Sequence, residues 1–354
     1  MKKLRQKGAL PVILVVLLVI LAVTAAVTVA MGPVPVPIRK VLAILKDVLL
    51  GQTTPDAYTK SQFHIIWNIR SPRIVMAILA GAGLAVSGTV MQAIVRNPIA
   101  DPFVLGVSSG ASTGAALAML VPAAAMFHGG ASVTAMAFVG AMVASMTVYT
   151  LAYSRQTKSI NPTSLILAGT AVGAILGAVT NLLIFLSQNK DSVSKIYYWQ
   201  MGSLASSQWS DIPIPAIAVA VSLVIVLLHT KKMNLLMIGE EDAYALGLKI
   251  REVRLTLMVC SSVMVAAIVS KTGIIGFVGL MIPHIVRLLV GSDNRKVVPI
   301  SALVGSIFLI WADTAARTLF GASELPIGVV TAFTGAPFFL YLMGKKKYTF
   351  GGKN

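Results

Sequence analysis

Long apolar stretches take up most of this 354-residue chain and limit what it can fold into. A bilayer has a hydrocarbon core of about 30 Å, so a helix that crosses it needs roughly 20 mostly apolar residues. Ten stretches meet this requirement, which predicts one all-α, polytopic membrane domain over residues 1–354. The predicted spans are 9–30, 74–95, 103–122, 131–153, 163–187, 212–230, 254–270, 274–291, 297–315 and 326–343.

The composition agrees with a membrane protein and argues against other classes. Only 12% of the residues are charged, against about 25% in a typical soluble domain, and 56% are hydrophobic. The net charge of +17 would suit a nucleic-acid binder, but the apolar composition argues against that class of protein. The single cysteine, Cys260, allows no intrachain disulfide, and the four histidines lack metal-ligand spacing. We therefore predict no metal, no cofactor and no nucleic-acid partner for this chain.

The positions of lysine and arginine predict an orientation, because segments rich in these residues stay in the cytoplasm. With ten spans and the N-terminus inside, the inner segments carry nineteen of the 29 basic residues. The outer segments carry ten, six of them in the long outer loop 31–73. Both termini are thus predicted to be cytoplasmic. The first stretch could be a secretory signal, but its apolar run of about 20 residues exceeds the usual 7–15, which favours a retained helix.

The twelve acidic residues lie at span ends or in loops, and none falls in the middle of a predicted span. Carriers coupled to protons or sodium commonly place an acidic residue or a broken helix at mid-membrane. This pattern weighs against such a secondary carrier, which stays open as the alternative. The phosphate-binding pattern G-x-x-x-x-G-K-[ST] and the common hydrolase motifs are absent from the sequence. If transport is uphill, its energy comes from another chain, and we predict that this one is not an enzyme.

Small residues at every fourth position predict where helices pack closely, because backbone approach holds helices together in lipid. Two glycine rows have this spacing and predict that their helices lie inside the bundle. The alternative is that glycine is simply common in membrane helices. The rows are Gly106, Gly110 and Gly114 in the third span and Gly169, Gly173 and Gly177 in the fifth.

Two loops contain further predicted helices. Residues 38–50 carry apolar side chains at helical spacing and precede Gly51, which predicts a short helix on the outer membrane surface. In the inner loop 231–250, Gly239 and Gly247 bound a segment whose three acidic residues suit the positive end of a helix dipole. Such a helix would be either a lever for a cytoplasmic partner or a solvated connector.

Four stretches, in order over nearly the whole chain, resemble one known family. They are RSPRIVMAILAGAGLAVSGTVMQAIVRNPIADPFVLGVSSG at 70–110, YYWQMGSLASSQWSDI at 197–212, GFVGLMIPHIVRLLVGSDNRKVVP at 276–299 and ELPIGVVTAFTGAPFFLYLM at 324–343. The sequence is similar to the FecCD family, the permease subunits of ATP-binding cassette (ABC) importers for iron–siderophores, haem and vitamin B12. The resemblance implies a type II ABC importer permease fold of ten transmembrane helices with inverted pseudo-repeats.

The resemblance also implies partners and a function. The partners are a second permease subunit, identical or paralogous, two cytoplasmic ATPase subunits that bind ATP and Mg, and a solute-binding protein outside. The implied function is translocation of a metal chelate, with a ferric siderophore as the expected cargo. The implied location is the bacterial cytoplasmic membrane.

Three residue roles follow from the same resemblance. Three arginines would dock the binding protein, although two of them could instead anchor a helix to lipid headgroups. Residues of the inner loop would couple to the ATPase, and residues beside the second and fifth spans would form a cytoplasmic gate. The docking residues are Arg70, Arg73 and Arg317, the coupling residues Glu240, Glu241, Asp242, Ala243, Leu246 and Gly247, and the gate residues Asn97, Ile99 and Thr163.

Overall fold

The chain is almost entirely helical over the residues that the computed structural model describes, which are 10–51, 57–121, 130–154, 159–319 and 324–345. The helices, in chain order, are α1 Leu10–Ala30, α2 Ile38–Leu50, α3 Lys60–Phe63, α4 Ser71–Val95, α5 Val107–Leu120, α6 Gly130–Ala152, α7 Pro162–Leu186, α8 Lys190–Gln200, α9 Pro213–Ile238, α10 Glu240–Ala245, α11 Ile250–Thr272, α12 Val278–Val290, α13 Asn294–Thr318 and α14 Ile327–Lys345. Short elements lie between them: a π-helix His64–Arg70 that joins α3 to α4, 3₁₀ helices Pro102–Leu105 and Trp209–Asp211, and an antiparallel pair of strands, β1 Tyr153–Ser154 and β2 Ser159–Ile160.

Seven helical segments are long and apolar enough to cross a membrane, and the shorter apolar helices α5, α12 and α14 bring the described set to ten. These ten coincide with the ten predicted spans, which confirms the predicted fold class. The eighth span was expected to begin at residue 274, and this boundary is wrong. Gly273, with a φ of +68°, ends α11, and α12 begins only after Phe277, whose φ of +67° also lies in the left-handed region.

Helix α4 lies at the centre of the bundle. Its most apolar stretch is 83% buried, and it packs against α9, α11, α12 and α13. The corresponding stretches of α1 and α7 are only 17% buried. Most side chains of these two helices therefore face outward, which suits helices in contact with lipid.

Glycine allows α4 to cross its neighbours at close range. A Cβ atom on Gly88 would overlap the backbone of Gly279 in α12, and one on Gly81 would overlap the backbone of Gly305 in α13. Any side chain at these positions would push the helices apart, because the backbones themselves are in contact.

The first predicted glycine row lies against α6. A Cβ on Gly110 would overlap the backbone of Gly140, and one on Gly114 would overlap the backbone of Met136. Gly106 differs from these two residues, because it precedes the helix. It is the residue before α5 and has a φ of +71°. There it allows the turn between the 3₁₀ helix and α5, since this conformation is unfavourable for residues with a Cβ.

The second predicted row packs closely at one end only. A Cβ on Gly169 would overlap the carbonyl of Val104, while one on Gly173 would lie 3.4 Å from the Ser109 hydroxyl. Gly177 faces open space, so the expected close packing is wrong at this position. The second half of α7 still contacts α5 through another side chain, because the Thr113 hydroxyl is hydrogen-bonded to Thr180, which is 3% exposed.

Helix α2 has the predicted bounds and ends at Gly51, whose φ is +63°. Val41 and Ile44 are fully buried and attach the helix to the bundle, while Leu42 and Leu49 are 53% and 83% exposed. The exposed apolar side chains suit the predicted position at a membrane surface.

Candidate functional site

Arg70 and Arg317 complete the C-terminal end of α1. The last four carbonyl groups of an α-helix have no partner within the helix, and a nearby cation stabilises that end. The two guanidinium groups fill this role with short hydrogen bonds. Arg70 donates to the carbonyls of Val29, Ala30 and Val34, and Arg317 donates to those of Thr28 and Met31.

Arg73 binds two carboxylates. Its Nε donates to both oxygens of Asp313, at 2.8 and 3.0 Å, and its Nη1 donates to Glu324 at 2.8 Å. Asp313 is 1% exposed and also lies 3.5 Å from the Nε of Arg317. One buried carboxylate thus joins arginines of α4 and α13, and removing it would leave two buried cations without their shared partner.

The three predicted docking arginines are not surface residues in this structure. The side chains of Arg70, Arg73 and Arg317 are buried and hold α1, α4 and α13 together. Sequence spacing does not say which way a guanidinium group points, and the partner Asp313 lies 240 residues from Arg73. Docking by these arginines therefore remains a prediction, with Glu324, whose side chain is 39% exposed, as the accessible end of the cluster.

The predicted coupling segment forms a short helix, α10, between two glycines of positive φ, Gly239 and Gly247. One face is turned to solvent, with Tyr244 77% exposed and Leu246 64% exposed beside Glu241 and Asp242. Exposed apolar side chains with a polar rim suit a surface that binds another protein.

Two of the predicted coupling residues face the other way. Ala243 is fully buried, so the expectation that it contacts a partner is wrong. Glu240 accepts a hydrogen bond from Nη2 of Arg254 at 2.7 Å and lies 3.7 Å from Nη2 of Arg96. Arg254 is only 1% exposed and also donates to the carbonyl of Ile160 at 2.7 Å. The inner face of α10 is therefore attached to the bundle by both packing and charge.

The predicted gate residues Asn97 and Ile99 lie in a turn that the asparagine closes. Arg96 ends α4 with a φ of +56°, and the side-chain oxygen of Asn97 accepts from the backbone N–H of Ile99 at 3.0 Å. Asp101 then accepts from the N–H of Phe103 at 2.8 Å and caps the 3₁₀ helix. Burial raises the pKa of Asp101 to about 6, although this hydrogen bond lowers it in part.

The third predicted gate residue, Thr163, lies exposed in the first turn of α7. Asn161 caps this helix by accepting from the N–H of Thr163 at 2.8 Å, and Pro162 is its first residue. Among the described residues, Asn97 and Thr163 share no hydrogen bond. The gate therefore remains a prediction, placed on two turns that each have a local capping interaction.

Arg287 is a residue that the sequence analysis did not single out. Its side chain donates to Gln92 of α4 at 3.2 Å, to Asn294 of α13 at 3.0 Å and to the carbonyl of Ser292 at 3.2 Å. Asn294 in turn donates to Asn234 of α9 at 2.8 Å. This polar cluster joins the four helices α4, α9, α12 and α13. No local sequence pattern predicts it, because its members are far apart in the chain.

An open apolar groove of about 640 Å³ lies between the end of α8, the start of α12 and one face of α14. Phe333 and Leu340 of α14 are 78% and 68% exposed in this groove. The exposed apolar residues of this groove are contiguous and do not occur singly. Such a surface is suited to contact with lipid or with another subunit.

Comparison with known proteins gives a consistent set of relatives. The family model of the FecCD transport family matches residues 14–345. The cobalamin import system permease protein BtuC of Halobacterium salinarum is 45% identical over 280 residues, which cover 79% of this chain and 73% of the relative. The hemin transport system permease protein HmuU of Yersinia pestis is 37% identical over 304 residues, which cover 84% of this chain and 87% of the relative.

A solved structure has the same fold. It is described as an inward-facing conformation of a metal-chelate type ABC transporter, and its TM-score to this chain is 0.81. The two sequences are 31% identical, and the match covers 95% of this chain and the whole of the other.

Proposed function

Because the chain belongs to the FecCD transport family, whose model covers almost all of it, we propose that it is the permease of an ATP-driven importer for ferric siderophores. The family model and the relatives support the coarser statement that the chain is a permease subunit of an ABC importer for metal chelates. The ferric siderophore is the finer proposal.

The observation that best supports an ATPase partner is the geometry of α10. Its inner face is fixed to the bundle through Ala243 and Glu240, while Tyr244 and Leu246 extend outward. A rigidly attached helix with an exposed apolar and acidic face can pass the movement of a partner to the bundle. A solvated connector would not need the buried contact.

The mechanism proposed here needs no covalent chemistry in this chain. A loaded binding protein docks at the end of the bundle where the arginines lie. ATP binding closes the two ATPase subunits, and α10 passes this movement to the turns at Asn97 and Thr163. The pair of permeases then changes between outward-open and inward-open shapes, whose relative populations depend on the bound nucleotide.

A second permease subunit would complete the path. The apolar groove along α14, with Phe333 and Leu340 exposed, is the surface that we assign to this contact. Burying it against a partner would remove a large apolar surface from water or lipid.

Uptake into proteoliposomes tests the proposal. The chain is reconstituted with its partner ATPase and binding protein, and radioiron-labelled ferrichrome, radioiron-labelled hemin and radiocobalt-labelled cyanocobalamin are supplied in turn. We expect ATP-dependent, vanadate-sensitive uptake of the ferric siderophore. Uptake of hemin or cyanocobalamin alone would contradict the siderophore assignment and leave the importer assignment intact. Uptake that follows a proton gradient without ATP would favour the secondary carrier instead.

A further inference from the structure

We propose that Arg254 is the positioning residue that links α10 to both predicted gate turns, an inference that rests on the proposed coupling role of α10. The evidence is one buried side chain with partners on both sides. Its Nη2 donates to Glu240 at 2.7 Å, and its Nη1 donates to the carbonyl of Ile160 at 2.7 Å.

The hydrogen bond from Arg254 to Ile160 connects Arg254 to the start of α7. Ile160 is the last residue of β2 and is separated only by the capping residue Asn161 from the first residue of α7. Pro162 follows, and its ring fixes one backbone dihedral of the helix start. A displacement of the Arg254 guanidinium group therefore acts on the backbone from which α7, with Thr163 in its first turn, begins.

The same carboxylate oxygen reaches the other turn. Oε1 of Glu240 lies 3.7 Å from Nη2 of Arg96, the residue that ends α4 directly before Asn97. Arg254 and Arg96 thus approach one oxygen from two different helices. Movement of Glu240 changes both distances, so the two turns respond to the same residue.

The local backbone allows Glu240 to move as part of a unit. It is the first residue of α10, and Gly239 before it has a φ of +135°, a conformation that L residues rarely adopt. Gly247, with a φ of +77°, lies just beyond the other end of the helix. These glycines interrupt the helical backbone on both sides of α10, so α10 moves as one unit, while the charge-assisted hydrogen bond to Arg254 keeps it attached to the bundle.

Arginine is required by the geometry of the two bonds. Its planar guanidinium group presents separate nitrogens to Glu240 and Ile160, whereas a lysine carries one ammonium group on a flexible stem. The variant Arg254→Lys keeps the charge and can still pair with Glu240, but it loses the fixed fork. Glu240→Gln keeps a hydrogen-bond acceptor and loses the charge.

The experiment uses the assembled complex of permease, ATPase and binding protein. A single reporter cysteine, Thr163→Cys, is introduced into a Cys260→Ala background, and its rate of reaction with a thiol reagent is measured with and without ATP and vanadate. The variants Arg254→Lys and Glu240→Gln are compared with Lys249→Gln. Lys249 is the matched control, because it lies near α10 but its side chain is 77% exposed.

We expect the ATP-dependent change in the rate at residue 163 to fall about tenfold in both variants, within the usual range of coupling between sites. Arg254→Lys, whose changed side chain is buried, should retain assembly with the ATPase and basal ATP hydrolysis, and Lys249→Gln should behave as the parent. A normal ATP response in Arg254→Lys or in Glu240→Gln would overturn the proposal. If Arg254→Lys does not fold, Glu240→Gln decides alone. If the parent complex does not assemble or shows no response, the proposed function of α10 has failed, which is a separate result.

Discussion

Arg73 and Asp313 join two central helices through a buried, two-oxygen contact, with the Nε of the arginine 2.8 Å from one oxygen and 3.0 Å from the other. The Nε of Arg317 lies 3.5 Å from the same carboxylate. We expect Asp313→Ala to destabilise the protein by about 3–5 kcal/mol, because breaking a buried ion cluster leaves charges without compensation.

Thermal unfolding in detergent measures this effect. The control is Glu252→Gln, which removes the acidic partner of an exposed pair with Lys249 and should leave the melting temperature unchanged. Equal melting temperatures for Asp313→Ala and the parent would show that the cluster does not hold α4 to α13.

The contact of Gly88 with Gly279 predicts a strong effect of side-chain size. Gly88→Val would place a branched side chain against the backbone of α12, so we expect a large loss of folded protein. Gly177→Ala is the control, because nothing lies within 4 Å of a Cβ at that helical position. Size-exclusion chromatography of the two variants in detergent gives the comparison, and a monodisperse peak of normal yield for Gly88→Val would contradict the close crossing.

Asp101 predicts a dependence of stability on pH. Its pKa is raised from 3.8 to about 6, mainly by burial, so the folded state binds the proton more tightly than the unfolded state does. Below about pH 4 the Asp101 carboxyl is protonated in both states, and its contribution to the free energy of unfolding is then fully present. That contribution is lost as the pH rises to about 6, because the buried carboxyl then has to carry a charge.

The variant Asp101→Asn keeps an acceptor for the N–H of Phe103 and removes the charge. Melting temperatures of the variant and the parent should converge near pH 4, and the variant should be the more stable of the two above pH 6. A difference that is constant over this interval would contradict the raised pKa.

The end of α10 offers a test of coupling. Gly247 has a φ of +77°, and nothing lies within 4 Å of a Cβ built there, so a substitution acts through the backbone conformation alone. Valine strongly disfavours this conformation, while asparagine tolerates it. We expect Gly247→Val to permit ATP hydrolysis but to lower uptake per ATP hydrolysed, and Gly247→Asn to retain both. Normal uptake in the valine variant would exclude this segment as the lever.

The parts of the fold that depend on local pattern could be predicted from the sequence. Spans need only a run of apolar residues. Gly51 ends α2, and Gly239 and Gly247 lie on either side of α10. The start of α12 was misplaced because residues 274–277 are apolar but not helical. Hydropathy reports how apolar a segment is and does not report its backbone conformation.

The interior of the candidate site could not be predicted, for a different physical reason. Arg254 and Ile160 are 94 residues apart, and Arg287 and Gln92 are 195 apart. Pairings of this kind depend on how the helices pack. For the same reason, the sequence does not show that the three arginines of the predicted docking surface are buried against α1 and Asp313.

The proposed mechanism requires that α10 lies in the cytoplasm, where an ATPase can reach it. A Tyr244→Cys variant in a Cys260→Ala background tests this directly, because the Tyr244 side chain is 77% exposed. An impermeant thiol reagent should leave residue 244 unlabelled in intact cells and label it once the membrane is permeabilised. Labelling of residue 244 in intact cells would place α10 outside and contradict the proposed contact with the ATPase.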